Sequence, residues 1–422
     1  MFQTYFIKKD KEKILLGLKK RNFNKISIID KIFFLDEKRK KLQSHLNKIL
    51  EKENIISNQI GKILNSDLKN QFEIDFLKEK KLYLKKDKII ISDQLKKIIQ
   101  KLKDNLDQIP NIPDEKVKKK SNDIIFQEKK YTSILDLEKP LPHWELSKKF
   151  NLFNLSLGTK ICGSGFSVYM GKCAKLQRSL IQYFLDQNIK ASYEEYVLPY
   201  LINENSAYST GHIPEKKGQM YFIEKDNFYL IPTGEVPIMN FYRDKIFSYS
   251  DLPIRATTYT SCFRREAGSY GTKVRGLNRL HQFDKVEIIQ IASSENSYDS
   301  FEEMILHVKN IIQSLKLPFR ILRISGIDLG FSSAITYDFE VYSIAQKKWL
   351  EVSSVSNCTD FQSNRLKIRY KNKGKIKLCH TLNGSALALP RIIAVLLENN
   401  QTNTHINIPK VLIPYTGFDK IK

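Results

Sequence analysis

At 422 residues, with 41% hydrophobic and 27% charged side chains, the chain has an ordinary soluble globular composition, needs no covalent staples, and is longer than one hydrophobic core usually supports, so two domains are expected. Its 70 Lys+Arg against 46 Asp+Glu, a formal charge of +24, point to a polyanionic partner, although abundant Lys, Ile and Asn with little Ala is also what an AT-rich genome imposes. Five cysteines at 162, 173, 262, 358 and 379, with no C-x-x-C pair or histidine-rich cluster, argue against a zinc site and a disulfide framework and fit a reducing cytoplasm.

The first stretch, "MFQTYFIKKDKEKILLGLKKRNF", is charged within its first ten residues and has no long apolar run, so neither a signal peptide nor a membrane span is expected and the chain reads as cytoplasmic. From Ile28, apolar residues recur at alternating spacings of four and three through Ile32, Leu35, Leu42, Leu46, Ile49, Ile56, Ile60 and Ile63, broken by Arg39 and Glu53. This predicts a long coiled-coil helix. After a turn expected in "NSDLKN", residues 65 to 70, the pattern repeats at Ile74, Leu77, Leu84, Ile91, Leu95, Ile98 and Leu102. The two runs predict an antiparallel hairpin over about residues 28–103 within an N-terminal domain 1–110. Folding back near residue 67 would set Glu53 opposite Lys81 and pair two polar seam positions. "DQIPNIPDEKVKKKSND" ends the second helix with two prolines and opens a linker placed at 111–130.

The remainder, 131–422, mixes helical stretches such as "GKCAKLQRSLIQYFLDQN" and "SFEEMILHVKNIIQSLK" with β-like ones such as "GQMYFIEKDNFYLIPT". Strands grouped late, not alternating strictly with helices, predict an α+β body around an antiparallel sheet. Among the β-like stretches, "TSCFRREAGSYGTKVRGLNRLHQFDKVEII", residues 260 to 289, runs in, turns through small residues and returns. Alternation puts Arg264 and Glu266 on one face of the incoming strand, and Phe283 and Glu287 on one face of the returning strand. A guanidinium, two carboxylates and an aromatic ring on one sheet surface fit a phosphorylated purine together with an amino acid. His281 reads as a structural histidine, and the two glycines of "AGSYGTK" suit a mobile loop.

The same stretch resembles motif 2 of the class II aminoacyl-tRNA synthetases, and "FRREAGSYG" with "RGLNRLHQFDKVE" resembles the seryl-tRNA synthetase version. In order along the chain, "YEEYVLPYLINENSAYSTGHIP" with Pro199 resembles motif 1, "IPTGEVP" the family's T-x-E, "LEVSSVSNCTDFQSNR" its metal and ATP segment, and "NGSALALPRIIAVLLENNQ" motif 3. The hairpin, "IPNIPDE" and "PLPHWEL" resemble the bacterial seryl enzyme as well, whereas Gly165 stands where the family commonly has arginine. A prolyl or threonyl relative would continue into an anticodon-binding domain, for which Arg391 to Lys422 leaves no room.

The resemblance implies a class II catalytic domain that activates L-serine with ATP and transfers it to the 3′ end of tRNA(Ser), with tRNA(Sec) as a second acceptor where one exists. It implies that Arg264 bridges the serine carboxylate and the α-phosphate, that Glu266 holds the adenine amino group, that Phe283 stacks on the base, and that Arg391 meets the γ-phosphate. Thr233 and Glu235 would receive the serine ammonium, and Glu287 and Ser385 its hydroxyl. Glu351 and Ser354 would help hold Mg²⁺, while Arg265, Val352 and Ser353 complete the ATP site. A homodimer, with the hairpin gripping the long variable arm of tRNA, is implied in the same way. Two other classes compete: a ligase loading a non-tRNA acceptor, which would not need the lysine-rich hairpin, and a non-catalytic nucleic-acid-binding paralogue, which would have lost Arg264, Glu287 or Arg391.

Overall fold

The structure, a computed structural model, describes residues 3–65, 70–127, 139–214, 217–266 and 275–422. It divides into two compact units: Met1–Leu16 with Phe23–Pro110, and Gly17–Asn22 with Asn111–Lys422. Within the first, α1 (Ile28–Leu64) and α2 (Gln71–Leu106) pack along their lengths. Ile28, Ile32, Leu35 and Ile49 of α1 and Ile74, Leu77, Leu95 and Leu102 of α2 are buried, which is the seam read from the heptad pattern. Asn70 caps α2, its Oδ1 accepting from the Glu73 N–H at 3.2 Å. Most of the predicted turn, residues 66–69, lies outside the described residues.

The seam register differs from the expectation by one heptad. Glu53 Oε2 pairs with Lys88 Nζ at 2.7 Å, while Lys81 is exposed. Lys88 follows Lys81 by one heptad in the same stripe, so the apolar pattern is satisfied by either register and the position of the fold-back decides. Arg39, the other polar break, is absorbed within α1: its Nη2 sits 2.8 Å from Asp36 Oδ1.

The second unit is built on an eight-stranded sheet. Its strands are β1 (Asp123–Gln127), β2 (Glu194–Tyr196), β3 (Ile254–Phe263), β4 (Gln282–Ala292), β5 (Phe319–Arg323), β6 (Ile335–Ser343), β7 (Lys348–Asn357) and β8 (His380–Ala388). They lie in the order β1-β5-β6-β7-β8-β4-β3-β2, antiparallel throughout except for the parallel pair β2 and β3. The helices α3 (His143–Phe150), α4 (Gly171–Lys190), α5 (Ser297–Ser314) and α6 (Leu389–Asn399) share the main core. Period-two alternation sorts the side chains of β4: Val286 and Ile288 enter the core with Leu180, Met304 and Ile393, which leaves Phe283, Lys285 and Glu287 on the other face.

The stretch read as a linker is bound to this unit over its described part. Asn111 Nδ2 donates to the carbonyls of Ser332 and Cys358 at 2.8 Å each, Val117 is buried, and β1 pairs with β5 as an edge strand. Each contact is long-range in sequence, which is why local composition reads only a tether there.

Candidate active site

β3 and β4 run antiparallel with Cys262 opposite Phe283 and Thr258 opposite Glu287. Just beyond β3, the Arg264 N–H donates to the His281 carbonyl at 2.8 Å, so the pairing continues by one residue. The strand does not reach Glu266, whose φ of +47° takes the backbone left-handed. Glu266 nevertheless joins Arg264 in the cleft, not by alternation but because its Oε2 accepts from Arg279 Nε on the returning segment.

That cleft, of about 480 Å³, is lined by Thr233, Glu235, Arg264, Glu266, Phe283, Glu287, Glu351, Val352, Ser353, Ser354, Ser385 and Arg391, together with residues the motifs did not single out. Of the site residues named from the sequence, Arg265 alone is absent from the lining. Its N–H donates to the Gln219 carbonyl at 2.9 Å. The Arg264 guanidinium lies 5.2 Å from the centre of the Phe283 ring, and its Nε donates to the Pro232 carbonyl at 3.2 Å. At the other end, Arg391 near the start of α6 donates from Nη1 to the Glu351 carbonyl at 2.8 Å and from Nε to the Asn278 carbonyl at 3.1 Å.

The floor is a buried polar cluster. Glu287 is 3% exposed and Lys285 7% exposed, and the Lys285 ammonium pairs with Glu287 Oε1. Thr233 Oγ1 donates to that same oxygen at 2.6 Å and accepts from Lys285 Nζ at 3.0 Å. Without the ammonium, a carboxylate this buried would be strongly penalised. Lys285 was legible in principle, since the alternation that pairs Phe283 with Glu287 places residue 285 between them on the same face. Beside it, Glu235 Oε1 accepts from Gln362 Nε2 at 2.6 Å and from Asn383 Nδ2 at 3.0 Å. Both come from later segments that sequence spacing does not connect to Glu235.

A second electrostatic feature lies across β6 and β7, where Asp338 is directly opposite Ser354. Burial first, and the Glu351 carboxylate second, push the Asp338 carboxyl up to about 8. Among the described residues, no group of three or more His, Cys, Asp or Glu side chains is arranged to hold a metal ion. Glu351 and Ser354 offer hard oxygen donors, which fits a Mg²⁺ that completes its shell with phosphate oxygens and water rather than an all-protein cage.

His281 faces away from acid–base duty, with its Nδ1 3.0 Å from the Arg264 carbonyl oxygen and its ring stacked on Phe166 at 5.4 Å. Gly165 has φ +82°, and a Cβ there would lie 2.3 Å from His281 Cδ2. Glycine is required at this position, and an arginine would displace the histidine. The loop "AGSYGTK" lies outside the described residues.

Comparison with known proteins agrees along the whole length. Residues 1–113 match the seryl-tRNA synthetase N-terminal domain and residues 221–400 the tRNA synthetase class II core domain (G, H, P, S and T). The serine–tRNA ligase of Salinibacter ruber is 41% identical over 98% of both chains, and that of Methylacidiphilum infernorum 43% identical over 92% of this chain and 91% of its own. The crystal structure of seryl-tRNA synthetase from Pyrococcus horikoshii, complexed with ATP, superposes with a TM-score of 0.88 at 29% identity, covering 100% of this chain and 99% of that one. A helical hairpin followed by an antiparallel sheet, a cleft that gathers the motif residues, and relatives matched end to end place the chain in the class II seryl-tRNA synthetase family.

Proposed function

We propose that the cleft activates L-serine with ATP, giving seryl-adenylate and pyrophosphate, and then transfers the seryl group to the 3′-terminal ribose of tRNA(Ser). The observation that carries this reading is the convergence, in one cleft, of two arginines at its sides and a buried Thr233–Lys285–Glu287 cluster at its floor. The serine carboxylate oxygen attacks the α-phosphorus and the α–β bridging bond breaks toward pyrophosphate, so no proton need move in that step. Catalysis is then a matter of alignment and charge. Arg264 spans the carboxylate and the α-phosphate, and its position over Phe283 leaves that ring to stack on adenine. Glu266 takes the adenine amino group, and Arg391 takes the γ-phosphate.

Glu235 and Thr233 receive the serine ammonium, and Glu287, with Ser385 beside it, receives the hydroxyl. Because Thr233 and Lys285 both approach Oε1 of Glu287, Oε2 is the oxygen turned over to the substrate. A bound Mg²⁺, held by Glu351 and Ser354 along with phosphate oxygens, would supply charge neutralisation for the departing pyrophosphate. Val352 and Ser353 shape the wall between. Arg265 is assigned to the ATP site on the motif alone, since it lies outside the cleft lining and its backbone is tied to Gln219.

The protein works in this reading as a cytoplasmic homodimer, as the seryl-tRNA synthetase resemblance implies. No helix among the described residues is long and apolar enough to cross a membrane. The hairpin, with its lysine-rich exposed faces, receives the tRNA. Amino-acid-dependent exchange of pyrophosphate into ATP, run across all standard amino acids, tests the activation step: serine is expected to drive it, and exchange driven by another amino acid would contradict the reading.

A further inference from the structure

Behind the ATP end of the cleft lies a buried polar network that the motifs do not explain. His143, the first residue of α3, and Glu398, in the last turn of α6, are both fully buried. Glu398 Oε1 receives the His143 N–H at 2.9 Å, His143 Nδ1 at 2.6 Å and Gln346 Nε2 at 2.9 Å, and Oε2 receives the Ser343 hydroxyl. On the far side of the imidazole, Nε2 lies 2.8 Å from the Leu277 backbone N–H. A backbone N–H only donates, so Nε2 is an acceptor without a proton and Nδ1 carries the hydrogen that goes to Glu398. The imidazole therefore transmits a directional link from α6 to the backbone at Leu277.

Leu277 and Asn278 line the cleft. A second link reaches the same place, since Gln346, held by Glu398, accepts from Asn278 Nδ2 at 3.0 Å. The Asn278 carbonyl in turn accepts from Arg391 Nε at 3.1 Å, and Arg279, the next residue, donates to Glu266. The approach is too close for any side chain at residue 276: Gly276 has φ +71°, and a Cβ there would fall 2.1 Å from His143 Nε2.

We propose that His143 is a positioning residue for the adenylation reaction: through Glu398 on one side and the Leu277 N–H on the other, it fixes the 276–279 wall that orients Arg391 and Glu266. The inference rests on the reading that these two side chains contact ATP. It separates two functions of one ring, which two substitutions dissect. His143→Asn retains a short amide that reaches Glu398 but not Leu277, whereas His143→Gln places an acceptor near the Nε2 position and loses the Glu398 link.

The test measures ATP affinity by calorimetry in the absence of amino acid, KM for ATP and for serine in pyrophosphate exchange, and the unfolding midpoint, on the full chain. The expected result is that His143→Asn weakens ATP binding and raises its KM by about tenfold, as a misplaced charge complement does, with serine KM within about twofold of wild type, and that His143→Gln recovers most of the ATP affinity. Gln346→Leu cuts the second link from a half-buried position and carries the same expectation for ATP, so a folding defect in the histidine variants does not shelter the claim. Unchanged ATP affinity in folded His143→Asn or Gln346→Leu, or equal rises in both KM values, would overturn it. Wild-type exchange driven by a different amino acid would refute the serine reading instead, while the comparison of ATP affinities still decides the role of His143.

Discussion

At the scale of single residues, the cleft arginines and the buried floor should respond differently to substitution. Arg264→Ala and Arg391→Ala each remove a cation from the cleft lining that is proposed to face the reacting polyphosphate, and each is expected to cut serine-dependent pyrophosphate exchange by about a hundredfold or more while the unfolding midpoint stays near wild type. Near wild-type exchange by folded Arg264→Ala would contradict its placement. Lys285→Met leaves Glu287 buried without its ammonium partner and is expected to destabilise the protein by about 3 kcal/mol, read by denaturant titration, as well as to abolish serine activation. Glu287→Ala removes the proposed acceptor for the substrate hydroxyl, so it should lose serine activation and, in the activity that remains, much of the discrimination against alanine. What the sequence made legible here was whatever alternation or a motif could carry. Arg264, Phe283 and Glu287 were found from strand parity, and parity applied once more would have found Lys285. Asn383, Gln362 and Asn278 were not legible, because their links to Glu235 and Arg391 are made by tertiary packing across more than a hundred positions of chain.

At the scale of elements, the hairpin shows both the strength of a heptad pattern and its limit. The pattern located α1 and α2 because a buried stripe must recur every 3.5 residues; it did not locate the fold-back, because sliding one helix by a heptad superimposes one stripe on itself. The Glu53–Lys88 pair is what distinguishes the registers. The buried histidines of the second unit give a pH signature at this scale. Burial lowers the pKa of His307 on α5, with Glu303 partly opposing, and that of His380 at the start of β8, with Asp360 and Glu295 opposing. An unfolded chain protonates these imidazoles near 6.5 and the folded chain only at lower pH, so stability is full above that value and is lost as pH falls through it. The unfolding midpoint should therefore drop between about pH 7.5 and 5.5, and drop less when both histidines are replaced by glutamine. An identical drop in the double variant would show that other groups carry the dependence.

At the scale of the whole molecule, activation is proposed for the second unit and tRNA recognition for the first. At 1.5 Å per residue, a helix the length of α1 spans roughly 55 Å, enough to present an extended basic surface. That surface is proposed to read the shape and backbone of tRNA rather than its anticodon. The hairpin seam closes on itself, so replacing residues 28–103 by a short flexible linker should leave the catalytic body folded. The most direct test is to measure serine-dependent pyrophosphate exchange and ATP-dependent serylation of tRNA(Ser), with tRNA(Sec) alongside, for the full and the shortened chains at subsaturating tRNA and with oligomeric state checked. The expected result is that the full chain performs both reactions, with charging that weakens as salt is added, and that the shortened chain keeps exchange while losing most serylation. Serine-dependent exchange with no tRNA charging by the full chain, or equal charging by the two chains, would contradict it.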